Sequence, residues 1–198
     1  MVLVGPPGSG KSTVAAALGA RWQVPIRDTD ANIETRAGKP VREIFVDDGE
    51  PTFRALEREA VLDALTEHAG VLALGGGAVM DARTQELLAQ YRGSGGFVVF
   101  LDVSLTHAAP RVGFNTSRPL LMANPRAQWK ALMEARRRVY EQVSDLRVLT
   151  DALTPQEIAE QIDAAVTELG PAATTTTRAD EPVHEPVHDA LQIDGSQS

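Results

Sequence analysis

Short apolar runs ending in glycine or aspartate alternate along this chain with stretches in which apolar residues recur every three or four positions. Val2, Leu3 and Val4 form the first run and lead into Gly5. Val14, Leu18 and Trp22 then recur at helical spacing, which predicts a helix over residues 11–22. Residues 24–26 read as a second strand, ending at Asp28, Thr29 and Asp30. Residues 31–69 read as helical pieces broken at 38–40 and 48–49, where Gly-Lys-Pro and Asp-Gly stand. Residues 71–74 form a buried strand running into Gly75, Gly76 and Gly77, and a helix over 81–91 leads to a further strand at 97–101. A loop rich in Asn, Pro and Arg precedes a helix at 126–143 and a strand at 147–150. In the last helix Thr154 is the cap, Pro155 the first helical residue, and Glu157 lies three beyond Thr154. Five strands interleaved with helices predict an α/β domain with a parallel, doubly wound sheet. Ligands of such sheets bind at the carboxyl ends of the strands, where several of the glycine-rich turns fall.

Composition narrows this picture. The 198 residues are 43% apolar and 23% charged, which fits one soluble domain with a core. No apolar run is long enough for a membrane span, and the N-terminus has no basic start or cleavage site of a secretory signal. The chain has no cysteine, which excludes disulfides, thiol catalysis and thiolate metal sites and fits a cytoplasmic enzyme. The net charge of −8 argues against nonspecific nucleic-acid binding. Half of that charge lies in residues 171–198, where five acids face one base, Arg178. This segment contains EPVH twice and has no sustained period, so it reads as a disordered acidic tail behind a domain of residues 1–170. Two prolines break any helix that would align its paired histidines as a metal site.

Residues 5–12 read GPPGSGKS and match the G-x-x-x-x-G-K-[ST] pattern at every defined position, between a predicted strand and a predicted helix. Gly8, Ser9 and Gly10 let backbone N–H groups converge on phosphate oxygens, and the following helix N-terminus, with Thr13, adds a favourable dipole. Lys11 would reach the β and γ phosphates and the Ser12 hydroxyl would coordinate Mg²⁺. A bound nucleoside triphosphate follows. Asp28 and Asp30 admit two readings. At the end of a strand one would support the metal and the other orient or deprotonate an acceptor hydroxyl. Alternatively they form an ordinary Asx turn at a helix N-cap.

Taken together, GPPGSGKST, DTD at 28–30, DGEPTFRALE at 48–57, LGGGAV at 74–79, NTSRPLL at 115–121 and ALMEARRRVYEQV at 131–143 resemble the shikimate kinases, over residues 1–168. The resemblance implies a three-layer P-loop kinase fold of the nucleoside-monophosphate-kinase type, with a five-stranded parallel sheet. It also implies a substrate-binding segment near 31–60, a mobile lid near 111–124, and a cytoplasmic, monomeric enzyme that transfers phosphate from ATP to the 3-hydroxyl of shikimate. Lys11, Asp30 and Arg118 would be the catalytic residues, with Ser12 and Asp28 at Mg²⁺. Asp30, Arg54, Gly75, Gly76, Gly77 and Arg136 would bind shikimate, the two arginines clamping its carboxylate. Arg111 and Pro155 would flank the adenine. Planar carboxylates favour guanidinium forks, and a lid arginine can stabilise charge on the transferred phosphoryl group.

The remaining candidates carry less. Phe45 and Phe53 are either walls for the substrate ring or core aromatics, and Glu57, one turn beyond Arg54, either braces that arginine or is solvated. Asp102 alone would suggest a metal-bound aspartate, but the resemblance places its strand away from the metal. Arg137 and Arg138 cannot face the ligand of Arg136 and read as solvated. His68 and His107 read as surface or loop residues. Phe114 and Pro110 depart from the family pattern, in the lid and beside the adenine-side arginine. Two competing functions stand: another small-molecule kinase of this fold, such as one acting on gluconate, and a non-catalytic ATP-binding regulator.

Overall fold

A computed structural model describes residues 1–112 and 125–169. The expected lid arginine Arg118, Phe114 and the acidic tail lie outside the described residues. Five parallel strands form one sheet: β1 (Val2–Val4), β2 (Ile26–Asp28), β3 (Val71–Ala73), β4 (Val98–Asp102) and β5 (Leu146–Leu149). Their order is β2-β3-β1-β4-β5, which puts the first strand in the middle. Leu3 pairs in register with Ala73 on one side and Val99 on the other. The helices are α1 (Lys11–Trp22), α2 (Thr29–Ala37), α3 (Val41–Asp47), α4 (Gly49–Glu67), α5 (Ala82–Gly93), α6 (Leu105–Arg111), α7 (Pro125–Val143) and α8 (Pro155–Leu169). This is the α/β, three-layer parallel architecture expected from the alternation.

Side chains on a strand point alternately to its two faces, and the sheet sorts its apolar residues accordingly. Val2, Val4, Leu72 and Phe100 pack beneath α4, α5 and α7, while Leu3, Ala73, Val99 and Leu101 pack against α1 and α8. Phe100 stacks on Tyr140 of α7 with ring centroids 5.0 Å apart, a pair contributing about 0.5–1.5 kcal/mol beyond its buried area. The stripe Ile158, Ile162 fixes α8 against the opposite face, each buried side chain contributing roughly 1.5–3 kcal/mol. The helix opens with the predicted reciprocal cap: Glu157 N–H donates to Thr154 Oγ1, and Thr154 N–H donates to Glu157 Oε2.

Helices α2 and α3 and the first half of α4 form a smaller apolar cluster around Ile33, Ile44 and Phe53, beside the end of β2. Two elements differ from expectation. The second strand is Ile26–Asp28 rather than residues 24–26, because Val24 N–H turns back to the Gly19 carbonyl at the end of α1. The segment after β4 contains α6, with Pro110 inside it. Proline has no N–H to reach the Thr106 carbonyl one turn back, and the helix ends one residue later.

Candidate active site

The loop from β1 to α1 wraps the start of α1. Gly10 is its N-cap, in a left-handed conformation with φ 88°, which a residue with a Cβ adopts only with strain. Lys11 Nζ donates to the carbonyls of Gly5 at 2.9 Å and Pro6 at 3.1 Å, so the ammonium lies across the mouth of the loop. Ser12 Oγ donates to Asp28 Oδ2 at 2.5 Å, joining α1 to the end of β2. The Asx-turn reading of the aspartate pair is what the structure shows. Asp28 caps α2, its Oδ1 accepting from Asp30 N–H at 3.0 Å and Ala31 N–H at 3.3 Å, while its other oxygen meets Ser12. The strand does not persist through Asp30, which lies in the first turn of α2.

These groups line one cleft of about 390 Å³, shared by Gly8, Lys11, Ser12, Asp28, Asp30 and Gly76. Arg111, at the end of α6, also lines it and donates to the Gly8 carbonyl at 3.2 Å. Desolvation pushes the Asp30 carboxyl up to about 6, helped by Asp28 and opposed by Lys11. Desolvation lowers the Lys11 ammonium to about 8, against the pull of Asp30 and Asp28. Asp30 Oδ1 is buried without a hydrogen-bond partner among the described residues. An acid poised near neutrality beside a hard-oxygen pair and a cationic loop is equipped to accept a proton from a hydroxyl.

The glycine run after β3 forms the adjoining wall. Gly75 N–H donates to Thr29 Oγ1 at 2.9 Å, tying the run to the start of α2. A Cβ on Gly75 would stand 2.4 Å from Asp30 Oδ1, and one on Gly77 would stand 2.4 Å from Arg54 Nη1. The absence of side chains therefore brings Asp30 and Arg54 against the backbone here. Arg136 Nη1 donates to the Gly76 carbonyl at 3.2 Å, and the buried Tyr140 hydroxyl donates to the same oxygen at 2.6 Å. Arg54 Nη1 also donates to Glu57 Oε2 at 2.6 Å. Glu57 is a buried brace rather than a solvated residue, and burial pushes its carboxyl up against the pull of Arg54. Asp30, Arg54 and Arg136 thus each meet the glycine run after β3, beside the cleft that Lys11 lines.

The family model described as shikimate kinase matches residues 7–167. The chain belongs to the shikimate kinase family. The shikimate kinase of Streptomyces coelicolor is 53% identical over 160 residues, 81% of this chain and 91% of that one. A shikimate kinase from Acinetobacter baumannii, solved in complex with shikimate, superposes with a TM-score of 0.78 at 31% identity. That match covers 85% of this chain and 92% of the other. A gluconokinase from Sinorhizobium meliloti covers 86% of this chain and 93% of its own at a TM-score of 0.53. At 20% identity that likeness is one of fold alone.

Within this shikimate kinase framework the expected residues separate by position. Gly8, Gly10, Lys11, Ser12, Thr13, Asp28, Asp30, Gly76 and Arg111 line the cleft. Arg54, Gly75, Gly77 and Arg136 adjoin it through the contacts given above. Ser9 lies buried under the loop, its hydroxyl unpartnered among the described residues. Pro155 heads α8 and is not among the cleft-lining residues. Phe53 is core, although Arg54 lies over its ring at 5.3 Å and over that of Phe45 at 5.9 Å. Arg137 is not a solvated residue: it forks onto Asp102. Asp102 is buried and engaged with arginines rather than facing the cleft. His107 has partners as well, its Nδ1 3.0 Å from Ser104 Oγ and 3.3 Å from Asp151. The anchoring roles of Thr29 and Tyr140 were missed, and only Tyr140 had a signal, its place four residues after Arg136.

Proposed function

We propose that this member of the shikimate kinase family uses Mg²⁺-ATP to phosphorylate the 3-hydroxyl of shikimate through the residues gathered above. One observation carries the assignment: Asp30 lines one cleft with Lys11 and Ser12 and lies against Gly75, in the same glycine run that Arg54 and Arg136 meet at Gly77 and Gly76. In this reading the two guanidinium groups hold the shikimate carboxylate, Arg54 made rigid by Glu57 and Arg136 held on the Gly76 carbonyl. That contact orients the ring so that one hydroxyl faces Asp30. Asp30 accepts the hydroxyl proton as the oxygen attacks the γ-phosphorus. The bond from that phosphorus to the bridging oxygen breaks, releasing ADP. Lys11 and the loop N–H groups bind the phosphates, and Arg111 lies at the nucleotide side. Arg118 supplies the lid charge that the resemblance implies.

The donors suit Mg²⁺. Ser12 and Asp28 offer a hydroxyl and a carboxylate, hard oxygens of the kind that hold this ion together with substrate phosphates. Among the described residues no group of three or more acidic, cysteine or histidine side chains is placed to hold a metal ion by itself. When bound, the ion neutralises charge on the β and γ phosphate oxygens. No helix of the described residues is long and apolar enough to cross a membrane. By the family resemblance alone, we place the enzyme in the cytoplasm as a monomer.

Product identification tests the proposal. Incubation with Mg²⁺-ATP and shikimate should give one phosphomonoester whose phosphorus couples to the proton on carbon 3. Phosphate on another oxygen, or none transferred, overturns it.

A further inference from the structure

Asp102 closes β4 as a carboxylate only 2% exposed. An unpaired carboxylate there would cost several kcal/mol, yet two arginines from different elements meet it. Arg137 of α7 binds as a fork, Nη1 donating to Oδ2 at 2.7 Å and Nη2 to Oδ1 at 3.1 Å. Arg147 of β5 donates to Oδ2 from Nε at 2.9 Å and from Nη2 at 2.5 Å. The Asp102 carbonyl also accepts from Thr150, from N–H at 2.8 Å and from Oγ1 at 3.0 Å. The end of β4 is thereby tied to β5 along its length and to α7 at one point.

That point adjoins Arg136. Trp129, Met133, Tyr140 and Val143 form the buried stripe of α7 and set which face of the helix meets the sheet. Apolar packing is weakly directional, whereas a two-point guanidinium fork fixes both distance and angle. The fork at Arg137 and the Tyr140 hydroxyl on Gly76 are directional contacts that bracket Arg136, one residue after it and four residues after it. Arg137 further lies 3.9 Å from Glu141, a long and half-exposed pairing that adds little direction.

We propose that Asp102, acting through Arg137, is a positioning residue for Arg136 and so for the acceptor's carboxylate. This rests on the reading of Arg136 as part of the carboxylate clamp. Arg147 shares the carboxylate but belongs to β5, so it provides the internal comparison.

The experiment compares steady-state kinetics and melting temperature for Arg137→Gln, Arg147→Gln, Arg136→Ala and the double variant Arg136→Ala/Arg137→Gln. Each glutamine variant leaves Asp102 paired with the other arginine, so neither strands a buried charge. Arg137→Gln should raise the KM for shikimate about tenfold, with kcat and the KM for ATP changed by less than about twofold. Arg147→Gln should lower the melting temperature comparably while leaving the shikimate KM within about twofold. The double variant should match Arg136→Ala alone, because the effect of Arg137 passes through Arg136. If Arg137→Gln does not fold, Arg137→Lys, which keeps the charge and loses the fork, replaces it with a smaller expected rise. An unchanged KM in the Arg137 variant, an equal rise in the Arg147 variant, or additive effects in the double variant overturns the proposal alone. An unchanged KM in Arg136→Ala overturns the clamp, and this proposal with it.

Discussion

Asp30 is a carboxyl group held at an electrostatic cost in the cleft. Desolvation and the neighbouring Asp28 raise its carboxyl to about 6, and one of its oxygens is buried without a partner among the described residues. A carboxylate held in this way destabilises the fold at neutral pH while remaining basic enough to accept a proton. Asp30→Asn should therefore lower kcat by a factor on the order of 10²–10⁴ and also raise the melting temperature by roughly 2–6 °C. Calorimetry beside steady-state assay checks both, and a less stable variant would contradict the electrostatic account. The pH profile follows from two groups. In the proposed roles, Asp30 protonated below about 6 cannot accept the hydroxyl proton, and Lys11 deprotonated above about 8 no longer offers a charge to phosphate. A bell-shaped kcat/KM with limbs near those values is expected, since this parameter reports the free enzyme. A flat profile from pH 5 to 9 would contradict it.

Elements place these residues by close approach as much as by attraction. The glycine run after β3 lets Arg54 and Asp30 lie against bare backbone, and Gly77→Ala puts a methyl group where Arg54 Nη1 stands. The guanidinium is the far end of a flexible side chain, so it can swing away and the fold is spared. Gly77→Ala should raise the shikimate KM about tenfold with a melting temperature within about 2 °C of the parent, measurable in one kinetic and one thermal series. Legibility in the sequence followed the same physics. The phosphate-binding loop, the DTD pair and the α8 cap are local devices with fixed spacing, and they appeared where the residues predicted them. Strand β2 was displaced by two residues because it is an edge strand whose apolar pattern is weak, with Ile26 itself 50% exposed. Helix α6 does not show in the sequence because Pro110 and its shortness hide the period. The Asp102–Arg137 fork was invisible because its partners stand 35 positions apart and three successive arginines look alike. Thr29 offered no pattern, since its role is to accept one N–H from a residue 46 positions away.

At the scale of the whole molecule, the middle position of β1 explains why the site is where it is. The first strand lies between β3 and β4, so the loop that follows it opens beside the carboxyl ends of both neighbours. Helix α1 presents its N-terminus to that opening, the end of β2 delivers Asp28, the first turn of α2 delivers Asp30, the turn after β3 delivers the glycine wall, and α4 and α7 deliver one arginine each. The fold is shared with a gluconokinase, so the sheet by itself does not set the acceptor, and in the proposed function the arginine wall does. The most direct test is ADP release by the purified protein with Mg²⁺-ATP, measured with shikimate, with gluconate and with no acceptor. Release that depends on shikimate and stays at background with gluconate is the predicted result; equal release in all three, or release with gluconate alone, would contradict it.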